Sequence, residues 1–184
     1  MKRLIITGIA AAIVGVLAFF AAISVTFVPG VAALYPAAAF ESAFGSWFGL
    51  WGAIASYLGL LIAGSAGGWF AVPNGLLLAS SDFIQALAPM IAVRYLGLNP
   101  ALPNWRHAVG YVFVSLVFGS LPGSLLYNYI NLKLGVLSGW NSYWAAVLGW
   151  NVGNLIMFVV IGLPLLRLGT AIMKRTDLYV KGLV

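Results

Sequence analysis

Glu41 and Asp82 are the residues on which chemistry can turn in this chain. Each sits inside a long apolar run, with no Lys or Arg close by in the same segment to neutralise it. A carboxylate at bilayer depth costs roughly 2.5–3.5 kcal/mol on insertion scales, so it persists where it has a polar task. Gln85 follows Asp82 at i+3 and shares its helix face. Tyr127, Asn128 and Asn131 cluster in one short stretch. Trp140, Trp144, Asn151 and Asn154 fall at spacings of four, seven and three, roughly one helical stripe. Carboxylates, amides and tryptophans together suit a cationic or amine-bearing planar ligand, held by charge pairing and cation–π contact. They do not suit a phosphorylated or multiply anionic ligand, because Lys133 is the only basic residue expected near them.

Other chemistries lack their residues. The sequence has no Gly-rich loop ending in Lys-Ser/Thr, no Gly-x-Ser-x-Gly and no metal-ligand spacing. There is no Cys and a single His, His107, which beside Arg106 reads as a solvated residue at a helix start. An enzyme is not expected, nor a bound metal or cofactor.

The elements that must position these side chains follow from composition. Hydrophobic residues make up 63% of the chain and charged residues 7%, where soluble domains average about 25% charged. The mean hydropathy is +1.06. Apolar runs repeatedly reach the ~20 residues needed to cross a bilayer, and no alternating ten-residue pattern speaks for a barrel. The expected fold is a single all-α integral membrane domain over residues 1–184, multi-pass in the plasma membrane. The net charge of +6 does not call for nucleic acid. Lys2, Arg3, Lys174, Arg175 and Lys181 lie near the termini, where they read as topology signals and anionic-lipid contacts.

Hydropathy marks helices at about 4–27, 75–97, 107–131 and 142–170. The run from Leu4 to about Val28 reads as a first helix rather than a signal peptide, lacking a convincing cleavage site. The segment 31–66 is long for one span and short for two. Two spans place the three basic clusters on one side, so the positive-inside rule favours six helices with both termini cytoplasmic. The break is expected at Gly45-Ser46-Trp47-Phe48-Gly49, with Trp47 an interfacial residue. Helix two, about 31–45, is then short and bends at Pro36. Pro73-Asn74-Gly75 reads as an outer loop, and Asn99 to Asn104 as an inner turn. On this topology the polar residues fall mostly in the outer half, around a pocket open to the outside. Glu41 falls near mid-depth.

Helix one carries a small-residue face of Ala11, Gly15, Ala18 and Ala22, fit for close helix packing within the chain or against another subunit. This face, with Leu34-Tyr35-Pro36 through Phe44-Gly45-Ser46-Trp47-Phe48-Gly49-Leu50-Trp51-Gly52-Ala53 and Ser81-Asp82-Phe83-Ile84-Gln85-Ala86-Leu87-Ala88-Pro89, resembles the substrate-binding S components of energy-coupling factor vitamin transporters. The resemblance implies an outward pocket made by helices four to six and closed by the loop between helices one and two. It implies that Ala11, Gly15, Ala18 and Ala22 dock on a transmembrane coupling subunit driven by cytoplasmic ATPases. Asp82, Gln85, Asn128, Trp144 and Asn151 would line the pocket, with Tyr127 and Glu41 nearby, around a small-molecule substrate such as a thiamine-like heterocycle. Two other functions stay open: a non-transporting assembly subunit of a membrane complex, and a proton-coupled carrier in which Asp82 and Glu41 titrate.

Overall fold

The computed structural model describes residues 1–24, 26–28, 31–32 and 34–183. Six helical segments account for most of them: α1 (Lys2–Ser24), α2 (Ala37–Phe48), α3 (Leu50–Ala66), α4 (Val72–Tyr95), α5 (Trp105–Lys133) and α6 (Trp140–Met173). Between α1 and α2 a short antiparallel ribbon pairs β1 (Thr26–Val28) with β2 (Val31–Ala32). Helices α1, α4, α5 and α6 are long and apolar enough to cross a membrane, as expected of a membrane protein.

The first helix ends at Ser24, short of the expected 27, and the second starts at Ala37 rather than 31. The β-branched and aromatic run Val25-Thr26-Phe27-Val28 favours extended chain, and the sequence Pro29-Gly30 discourages any helix across it. Pro36 therefore precedes the first turn of α2 instead of bending its middle. Residues 25, 29, 30 and 33 of the expected lid between helices one and two lie outside the described residues. Pro73 to Gly75, expected as loop, form the first turn of α4, where a proline's missing N–H costs nothing. Asn104 caps α5 by accepting from the amides of Arg106 (3.1 Å) and His107 (3.3 Å). His107 is structural rather than merely solvated, since its Nδ1 accepts from the Asn99 amide at 3.1 Å.

Helices α5 and α6 each contain a widened, π-helical stretch, Ser115–Ser120 and Phe158–Gly162. Each ends one residue before a Leu-Pro pair, Leu121-Pro122 and Leu163-Pro164. A proline ring clashes with the carbonyl four residues back, and opening the preceding turn is one relief of that clash.

The break between α2 and α3 is Gly49 alone, at φ 64° and ψ −137°, a backbone open to glycine and closed to L side chains. Trp47, expected at an interface, is 2% exposed; its indole donates to Thr170 Oγ1 (2.9 Å), whose hydroxyl donates to the Pro100 carbonyl (2.9 Å). The chain after α6 returns to this junction. Val180 N donates to Trp47 O (2.9 Å), and Leu50 N donates to Leu183 O (2.8 Å). Arg94 adds bonds from Nη1 to Ser46 O (2.9 Å) and from Nε to Gly182 O (2.8 Å), with its guanidinium 5.6 Å from the Tyr179 ring. The last carbonyls of α2 and the first amide of α3, which a helix cannot satisfy internally, are thus met by Arg94 and the tail. Arg94→Met is expected to lower stability by about 1–3 kcal/mol and to speed amide exchange at residues 178–183, read by hydrogen-exchange mass spectrometry.

These contacts and the Lys2–Asp177 pair (2.9 Å) bring the start of α1, the end of α4 and the tail to one end of the molecule. This is the basic end; the opposite one is the ribbon end. The small-residue face of α1 turns inward. A Cβ on Gly15 would meet Gly59 O of α3 at 3.2 Å, and one on Gly59 would meet Ala11 O at 2.9 Å. Ala11, Gly15 and Ala18 are buried and Ala22 half-buried. The face expected to dock a partner subunit is spent on close packing within the chain, which the same small residues serve equally well.

Candidate functional site

The site is built on α4, which glycines approach from two sides. A Cβ on Gly45 of α2 would collide with the Ala86 carbonyl. On the other side, Cβ atoms on Gly119 and Gly123 of α5 would come within 2.9 Å of Gln85 O and 2.8 Å of Ser81 O. Three helices therefore meet backbone to backbone, and the side chains one turn from each glycine are forced into contact. Glu41 lies one turn before Gly45, as Asp82 lies one turn before Ala86.

The result is a set of small hydrogen-bonded polar groups on adjoining helices. Tyr35, which leads into α2, donates its hydroxyl to Asp82 Oδ2 at 2.8 Å, and Ser81 donates to Asp82 Oδ1 at 3.1 Å. Gln85 Nε2 donates to Glu41 Oε2. Asn154 Nδ2 donates to Gln85 Oε1 (2.8 Å) and to Ser120 Oγ (3.0 Å). Asn151 Nδ2 donates to Ser124 Oγ (2.8 Å), and Asn128 Nδ2 to the Ser124 carbonyl (2.8 Å).

Glu41, Asp82, Gln85, Asn128 and Asn154 have at most 1% of their surface exposed. The expected pocket open to the outside is therefore closed in this structure. Tyr35 covers Asp82, and Trp150 packs on Tyr35 (6.2 Å between ring centroids) and on Tyr127 (5.1 Å). The ribbon leading to Tyr35 rests against α6.

Sequence reasoning placed Glu41, Asp82, Gln85, Tyr127, Asn128 and Asn151 in this region, and the structure brings them together. Trp144 stands apart: it is 56% exposed and packs edge-on against Tyr143, and Trp140 is exposed beside it. The stripe drawn through Trp140, Trp144, Asn151 and Asn154 thus changes surroundings along α6, exposed at its start and buried at its end. Tyr35, Ser81, Ser120, Ser124 and Trp150 were missed as site residues. The serine pair had a signal, since Ser120, Ser124 and Asn128 repeat every four residues on one face of α5.

Several site atoms are left without partners. Among the described residues, Glu41 Oε1, Asn128 Oδ1 and Asn151 Oδ1 are buried acceptors that receive no donor, and Trp150 Nε1 is a buried donor with no acceptor. Among the described residues neither Glu41 nor Asp82 is paired with a cation. Such a site has the chemistry to hold a group rich in N–H donors, against aromatic walls. No protein-family model matches the chain, and neither a curated protein nor a solved structure matches it.

Proposed function

We propose that this chain is the membrane-embedded substrate-binding subunit of an uptake transporter of the energy-coupling factor type, taking a small amine-bearing heterocycle from outside the cell. The observation that carries the reading is the occluded site of two carboxyls without a cation, three buried acceptors without donors, and rings from Tyr35, Tyr127 and Trp150 around them. A protonated amine complements every one of those acceptors, and a planar ring complements the aromatics.

In this reading all six helices lie in the plasma membrane, and the basic end faces the cytoplasm with both termini, as the positive-inside rule asks. Helix α2, 12 residues long, rises only about 18 Å. The ribbon and Tyr35 supply the remaining depth and act as the lid over Asp82. Coupling to a transmembrane partner and cytoplasmic ATPases then falls to a surface other than the small face of α1, which α3 already covers.

Native mass spectrometry of the gently isolated protein tests this. A retained amine-bearing heterocycle is expected, together with coupling and ATPase subunits. Thiamine should raise the unfolding temperature of the purified chain and biotin, an anion, should not. Absence of any bound heterocycle, together with no stabilisation by thiamine or other amine-bearing heterocycles, would sink the reading.

One observation favours a second reading, a proton-coupled carrier. Ser42, Tyr111 and Ser115 carry hydroxyls buried in the interior with no hydrogen-bond partner among the described residues, groups that a proton path could use. Uptake by this chain alone in vesicles, driven by a pH gradient, would favour the carrier over the subunit.

A further inference from the structure

At the basic end, between the start of α1, the α2–α3 junction and the tail, lies a cleft of about 240 Å³. Lys2, Arg3 and Lys181 stand on its walls, with Asp177 the only acid among its lining residues. Asp177 already pairs with Lys2 at 2.9 Å, both side chains being largely exposed, and a pair of that kind is weak and easily exchanged. Arg3 and Lys181 have no carboxylate partner among the described residues. Trp51 also lines the cleft, and its Nε1 is buried with no acceptor among the described residues. An indole N–H can only donate, and a buried donor is seldom left unmade. Guanidinium, ammonium and indole are alike in offering hydrogen bonds and accepting none. The complementary ligand is an anion with several oxygens on one centre.

We propose that this cleft binds a phosphate group, with Arg3 and Lys181 pairing with its charge and Trp51 Nε1 donating to one of its oxygens. The phosphate belongs either to the headgroup of an anionic phospholipid or to a free, water-borne phosphate. The site lies at the opposite end from the ribbon and does not depend on what the Asp82 site holds.

The test uses the purified full-length chain and three probes: phosphatidylglycerol, phosphatidylcholine and inorganic phosphate, read by native mass spectrometry and thermal shift. The parent is expected to retain phosphatidylglycerol in preference to phosphatidylcholine, whose choline group opposes the cleft's cations. The double variant Arg3→Gln/Lys181→Gln should weaken that binding about twenty-five-fold, at about fivefold for each cation lost. Trp51→Phe keeps a ring while removing the N–H, and should weaken it severalfold. Lys133→Gln, at the other end of the bundle, should change nothing. Stabilisation by inorganic phosphate that is lost in the same double variant supports the site with a free source; sensitivity confined to phosphatidylglycerol supports the lipid source. Should Trp51→Phe fail to fold, the double variant still decides. Binding of all three probes that is indifferent to Arg3 and Lys181, or binding of none, overturns the proposal.

Discussion

Gly45→Ala is expected to dismantle the site without touching one of its polar groups. The added methyl would overlap the Ala86 carbonyl, and neither backbone can step aside while α2 and α4 remain packed. Overfilled cores lose typically 1–3 kcal/mol and occasionally more, and a clash against main chain belongs at the upper end, about 3 kcal/mol. Pushing α2 off α4 also parts Glu41 from Asp82 and from Gln85. The unfolding temperature should fall by several degrees, and stabilisation by an amine-bearing ligand should vanish with it. Gly8→Ala is the control. Nothing lies within 4 Å of a Cβ there, and Gly8 is inside a helix, so that change should be neutral or stabilise by about 0.5–1 kcal/mol. Equal losses at the two positions would show that the α2–α4 approach is not what sets the site.

The second large effect is expected at Asp82. Asp82→Asn keeps the size of the side chain and an oxygen for Tyr35 to bond, so the protein should remain folded. It removes the charge that pairs with a bound amine. Truncating one partner of a buried, hydrogen-bonded charge pair costs about 2–5 kcal/mol, which corresponds to at least a thirtyfold loss of affinity. Calorimetry or thermal shift with thiamine reads the loss directly. Glu41→Gln should weaken binding as well, since Glu41 Oε1 is one of the acceptors left without a donor among the described residues. If Asp82→Asn binds like the parent, Asp82 is not the anchor. If Asp82→Asn instead abolishes pH-driven uptake by the isolated chain, the carrier reading gains what the subunit reading loses.

The helix count was legible because charge and hydropathy are one-dimensional properties. The three basic clusters demanded an even number of crossings, and Arg94, Lys2 and the tail do meet at one end. The convergence of Asp82, Gln85, Asn128 and Asn151 was legible for a related reason, since polar residues in an apolar chain have few places to go. The closed state of the site was not. Nothing about Tyr35 distinguishes a lid from an interfacial tyrosine until the ribbon before it fixes where it falls. Trp144 and Trp150 are equally apolar in sequence, six positions apart, and only the packing of α6 decides which one faces the cluster. The small face of α1 carried two readings that composition cannot separate, and Gly59 on α3 decides between them. Ends of elements were misjudged where a proline opens a helix, as at Pro36 and Pro73, because proline both breaks helices and begins them.

The stitching of the α2–α3 turn by Arg94 and the tail bears on how the molecule is made. The carbonyl of Trp47 and the amide of Leu50 wait for Val180 and Leu183, which leave the ribosome long after α2 and α3 have emerged. Contacts between such distant stretches form late, since the intervening chain must be brought round first. Until then the α2–α3 hairpin has an unfinished seam, and its closure awaits Val180 and Leu183.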